Sequence, residues 1–189
     1  MFITPGFSDC SEIHISFDSV KLNTVLSTKL LGVMIDNKLL WDEHVSFIIS
    51  KVAKKIGALH RARRSLSLPA RKLFLLSVIL PGFDCCCSVF ACGVFVCDRK
   101  RLEALERRAV RICAGAGYMD DCDPLYASLN IAPLQERWLL RVLNAVFSAV
   151  KGIKPPAVQD IFCLSGSTSN DHYTRSKSSL GVLPRRADA

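Results

Sequence analysis

At 189 residues, half of them hydrophobic, the chain is long enough for one ordinary domain with a genuine core and too short for a second. Its formal charge of +8 makes a polyanion, either nucleic acid or an anionic membrane surface, the first partner class to test. The 9 cysteines are odd in number and five of them (Cys85, Cys86, Cys87, Cys92, Cys97) crowd into one apolar run, which argues against a disulfide framework, and no paired CxxC spacing offers a zinc site.

Such thiols read as reduced and place the protein in the cytoplasm or nucleus. Met1 to Gly6 has no basic region followed by a long apolar core, so no secretory signal is expected. In chain order, residues 12–35 alternate in the manner of short strands. Ile13, Ile15 and Phe17 share a face, Asp18-Ser19 can turn, and Val20, Leu22 and Leu30 to Ile35 follow, which predicts a small β-meander.

The period changes at Trp41. Val45, Ile48, Ile49, Val52, Ile56 and Leu59 then form the apolar stripe of a helix, with Asp42 and Glu43 in its first turn and basic residues in its last. Ser67 and Pro69 open a second helix that runs to Leu80, where Pro81-Gly82 kinks or ends it. A third begins near Asp98 and stops at Gly115 and Gly117; a fourth begins at Pro133 and is closed by Gly152 and Pro155-Pro156. The tail beyond Cys163 is polar, basic and expected to be disordered. The fold class is therefore mainly α: a short N-terminal β-meander (1–40), a helical bundle (41–152) and a flexible basic tail (153–189).

Two motifs invite a stronger reading. Tyr118-Met119-Asp120-Asp121 spells the metal-binding signature of reverse transcriptases, in which paired carboxylates at a hairpin tip join a third from a neighbouring strand to hold two magnesium ions. Here Gly115 and Gly117 precede it and Cys122-Asp123-Pro124 follows, so neither flank reads as a strand and an exposed loop is expected. No residue is assigned a catalytic or metal-binding role.

The run Leu73 to Cys97 meets the length criterion for a membrane span. Asp84 near its centre costs roughly 2.5 to 3.5 kcal/mol while each large apolar residue returns about 0.3 to 0.6, so composition alone does not forbid insertion. The alternative is a pair of shorter core segments broken at Pro81-Gly82.

Lys51, Lys54, Lys55, Arg61, Arg63 and Arg64 form a basic strip on and beyond the solvent side of the first long helix, suited to neutralising phosphates without reading bases. Arg99, Lys100, Arg101, Arg107, Arg108 and Arg111 form a second cluster on the third helix. Charge runs of this kind commonly serve only solubility.

The stretch Lys29-Leu30-Leu31-Gly32-Val33-Met34-Ile35-Asp36, followed by Leu39, Trp41 and His44, resembles a signature of non-LTR (LINE-type, jockey and CR1-like) retrotransposon reverse transcriptases. Leu102 to Arg111, Asp123-Pro124-Leu125-Tyr126 and Pro133-Leu134-Gln135-Glu136-Arg137 are similar to later landmarks of that family, in the family's order. Leu30 departs from it, standing where the family usually has an aromatic.

The resemblance implies a primer grip at Leu31, Gly32 and Val33 and a thumb helix from Trp41, with the fingers and palm expected to be absent. On that reading the chain is no enzyme by itself and carries no cofactor, magnesium belonging to the missing palm. Its partner is RNA or DNA backbone bound non-specifically, with no small-molecule substrate and no membrane. The alternatives are a small protein anchored through residues 73–97, and a degenerate product without function.

Overall fold

The computed structural model describes residues 25–159 and, outside that range, only the backbone of four short strands. Two of these, β1 (Ser16–Phe17) and β2 (Val20–Lys21), pair antiparallel; Asp18 and Ser19, where a turn is expected, lie outside the described residues. Ile13 and Ile15 lie outside the described residues. A second antiparallel pair follows, β3 (Ser27–Leu30) with β4 (Val33–Asp36), in the register Leu30↔Val33 to Ser27↔Asp36. The two pairs are separate two-stranded sheets, and these short N-terminal strands lead into the helices as expected.

The turn of the second hairpin is a two-residue loop in which both residues have positive φ, Leu31 at 49° and Gly32 at 92°. That combination matches the right-handed twist of the flanking strands. Glycine accepts it without cost, and Leu31 does not.

After β4 the chain is steered into a helix by one carboxylate. Asp36 Oδ2 accepts the Leu40 amide at 2.9 Å and Oδ1 accepts the Trp41 amide at 3.1 Å, and Trp41 itself adopts φ 69° before α1 (Asp42–Ala62) begins. The apolar stripe of α1 is buried as its period predicts, with Val45, Ile48, Val52, Ile56 and Leu59 almost wholly covered. Against it pack Leu75, Ile79, Phe83 and Phe90 from the next helical stretch and Leu102, Ala109, Val110 and Cys113 from α5 (Val96–Ala114).

The stretch between them is α2 (Leu68–Phe74), a π-helical turn (Leu75–Ile79), α3 (Leu80–Asp84) and one turn of α4 (Cys87–Phe90). The helix does not break at Pro81-Gly82. Pro81 sits in the first turn of α3, where a missing N–H is least costly, and the π turn before it absorbs the change of register. The break comes further on, where Cys85 is extended and Cys86 has φ 57°.

Gly82 lets α3 approach α1 closely, since a Cβ there would lie 2.8 Å from Val52 Cγ2. Leu68–Phe90 is long and apolar enough to cross a membrane by length and composition, yet Leu75, Ile79, Phe83 and Phe90 are fully buried within the protein.

Gly115 at φ 78° ends α5 as expected, with the Ala116 amide returning to the Arg111 carbonyl at 3.0 Å. The short helix α6 (Asp123–Leu129), ended by Asn130 at φ 51°, has no counterpart in the hydropathy pattern, because so short a segment cannot show a period. α7 spans Leu134–Val150.

The chain divides into two compact units, Met1–Trp138 and Leu139–Ala189. The second unit, by itself, holds the greater part of α7 and the single turn α8 (Pro156–Gln159), whose Gln159 side-chain amide donates to the Gly152 carbonyl at 3.2 Å and to that of Lys154. It also holds the antiparallel pair β5 (Phe162–Leu164) and β6 (Leu180–Val182), a local pairing within the tail expected to be disordered. The rest of the tail lies outside the described residues.

Candidate nucleic-acid interface

A groove of about 470 Å3 opens where the β3–β4 turn, α1 and the π–α3 stretch meet. Leu31, Gly32 and Val33 line one side; His44, Phe47, Ile48, Lys51 and Lys55 line the helical wall. The i, i+4 spacing of Phe47, Lys51 and Lys55 is what sets them in one row along α1. Leu31 is 94% exposed at the tip, while Val33 is buried beneath it. The structure thus gathers five of the nine residues named from sequence: Leu31, Gly32, Val33, Lys51 and Lys55.

Lys54 and Arg61 fall on the adjoining exposed face of α1, and Arg63 and Arg64 follow beyond its C-terminal end. Their geometry extends the basic surface away from the groove. None of Lys51, Lys54, Arg61, Arg63 and Arg64 pairs with a carboxylate among the described residues. Lys55 differs, because its Nζ donates to the Val78 carbonyl at 2.7 Å and so ties α1 to the π turn.

Half of the second basic cluster makes internal contacts, while Lys100, Arg107 and Arg108 lie exposed. Arg101 pairs with Asp98 at 2.7 Å, Arg99 reaches the Ala91 carbonyl at 3.4 Å, and Arg111 Nε donates to the Asp120 carbonyl at 2.9 Å. Arg99 and Arg111 tie neighbouring loops to α5, whereas the Arg101–Asp98 pair lies within that helix.

Three groups at the groove have a place that apolar period and charge count do not show. Phe47 is half-buried, with Lys29 Nζ 4.8 Å and Lys51 Nζ 5.6 Å from its ring centroid. Behind it His44 is buried: its Nδ1 accepts the Met34 amide at 3.3 Å, and its ring stands edge-on to Phe90 at 4.6 Å. Burial lowers its pKa, and the bond from Met34 requires the neutral ring. The available signal in sequence is the alternation of Lys29, Phe47 and Lys51, basic groups around an aromatic, but Lys29 stands on another element and meets Phe47 only through the hairpin.

Tyr118 to Asp121 form a turn between α5 and α6. The Asp120 carboxylate accepts the Gly117 amide at 2.7 Å and Asp121 Oδ1 accepts the Asp123 amide at 3.3 Å, so both side chains serve the local turn. Tyr118 is exposed, with the Arg111 guanidinium 5.9 Å from its ring centroid. Among the described residues no three His, Cys, Asp or Glu side chains gather in a way that could hold a metal ion.

Asp84, the acidic residue of the apolar run, meets a partner that local sequence does not show. Arg137 Nε reaches Asp84 Oδ2 at 3.1 Å, and its Nη1 pairs with Glu106. Glu106 Oε2 also accepts the Tyr126 hydroxyl at 3.1 Å and the Leu134 amide at 2.9 Å. Burial opposes the charge on Arg137, but the two carboxylates outweigh it and hold its pKa up. The cluster locks α3, α5, α6 and the first turn of α7 together under the groove-bearing elements.

No family model and no solved structure matches the chain. Over 145 residues it is 24% identical to the probable RNA-directed DNA polymerase from transposon X-element of Drosophila melanogaster, a match covering 69% of this chain and 16% of that protein. The chain therefore spans only a small part of the length of its curated relative, and the similarity supports a relationship to a retrotransposon RNA-directed DNA polymerase.

Proposed function

We propose that this chain is a nucleic-acid-handling piece of a non-LTR, LINE-type reverse transcriptase, with the Leu31–Val33 turn as its primer grip and α1 as the thumb element beside the template-primer duplex. The observation that carries the reading is a row of basic side chains without carboxylate partners, running along α1 from an exposed glycine turn. A glycine there lets a backbone strand approach closely, and unpaired cations beside it release counterions from phosphates.

Binding on this reading is to RNA or DNA backbone without sequence preference, in the cytoplasm or nucleus. DNA synthesis by the two-metal mechanism requires carboxylates converging on a rigid sheet, and the described residues of this chain gather no such set.

A salt titration of duplex affinity tests the binding. The slope of log K against log salt is expected to be steep, and to flatten by about 0.7 to 0.9 for every phosphate no longer neutralised when Lys51, Lys54, Arg61 and Arg63 are changed to Ala. A shallow slope in the unaltered protein removes the proposal. On a primed RNA template with magnesium the protein is expected to incorporate nothing; incorporation abolished by Asp120→Ala and Asp121→Ala would overturn that part.

A further inference from the structure

The groove contains one element that backbone binding does not use. Phe47 lines a cleft with Leu31 and Gly32 of the hairpin turn, Lys51 and Lys55 of α1, and apolar residues such as Val78 and Pro81 opposite. An ammonium stands near its ring from each of two separate elements, Lys29 at 4.8 Å from β3 and Lys51 at 5.6 Å from α1. Nearly parallel behind it lies the His44 ring, at 6.5 Å and 20° between planes, anchored by Met34 and Phe90. The ring is therefore backed by a buried, hydrogen-bonded histidine and covered in the unbound protein by two ammonium groups.

That arrangement matches the two needs of an unpaired nucleotide. A base has a π-face to stack on an aromatic ring whatever its identity, and its flanking phosphates take up cations. A duplex offers no such face along its length, since its bases are already stacked on one another.

We propose that Phe47 is a stacking platform for one unpaired base, with Lys29 and Lys51 holding the phosphates on either side, so that the groove takes a single-stranded end in preference to a blunt duplex. The proposal rests on the nucleic-acid reading and adds strand state to it. Lys29 and Lys51 exchange a cation–π contact for a phosphate contact when the base arrives, so their charge is used in both states.

The test compares a short single-stranded oligonucleotide with a blunt duplex of the same length, on the full chain and on Phe47→Leu, Phe47→Tyr and Lys51→Ala. Single-strand affinity is expected to fall about 5- to 150-fold in Phe47→Leu and to stay near the unaltered value in Phe47→Tyr, given the worth of one base–aromatic stack. Duplex affinity and its salt slope are expected to be unchanged in both Phe47 variants. Lys51→Ala is expected to lower the slope for both ligands. Equal losses on both ligands in Phe47→Leu, or no loss on the single strand, overturn the platform while leaving backbone binding intact. Failure of the unaltered protein to bind either ligand removes both proposals.

Discussion

Arg137 places one positive charge between two buried carboxylates, and the surplus negative charge is met by neutral donors, the Tyr126 hydroxyl and the Leu134 amide. Removing the cation takes an ion pair from Asp84 and leaves the buried Glu106 carboxylate with neutral donors alone. Arg137→Met is therefore expected to cost about 3 to 5 kcal/mol, read from urea denaturation midpoints. Glu106→Gln, which retains an acceptor for both neutral donors, is expected to cost less. His44 gives a pH dependence at the same scale. Its folded pKa lies below the ordinary histidine value, so the unfolded chain binds more protons and stability rises with pH through that interval. Melting temperature is expected to fall as pH drops below about 6.5, the unfolded value, and the fall to flatten in His44→Gln. An unchanged pH profile in that variant would remove His44 as its source.

At the scale of elements, the contact between α1 and α3 depends on Gly82. An added methyl meets the fully buried Val52 at 2.8 Å, which outweighs the gain of about 0.5 to 1 kcal/mol from alanine's helix preference. Gly82→Ala is expected to destabilise by about 1 to 3 kcal/mol, and Val52→Ala in the same chain to recover part of it. Equilibrium unfolding of the two single variants and the double measures this coupling.

The long helices are legible in sequence because each carries several turns of apolar period, as Val45 to Leu59 do, and because Gly115 and Gly152 mark their ends. The short helices are not, and the break falls at Cys85-Cys86 instead of Pro81-Gly82 because a π turn leaves no trace in residue type. Of the groove, Leu31, Gly32, Val33, Lys51 and Lys55 are legible. Phe47 and Lys29 are not, since their meeting is made by the hairpin fold and not by spacing.

For the whole chain, the buried faces of α1, α3 and α5 cover one another and the ionic cluster is closed within the same unit, Met1–Trp138. The full chain is expected to melt in a cooperative transition followed by circular dichroism at a helical band; a featureless decline would mean that this core does not stand without further protein. The hairpin tip sets the opposite tendency. A leucine held at φ 49° and 94% exposed gives up about 1 to 2 kcal/mol that asparagine or glycine would not. Leu31→Gly is therefore expected to raise the melting temperature, and, if the proposed primer-grip role holds, to weaken strand binding at the same time, so that one replacement separates the demands of folding from those of use.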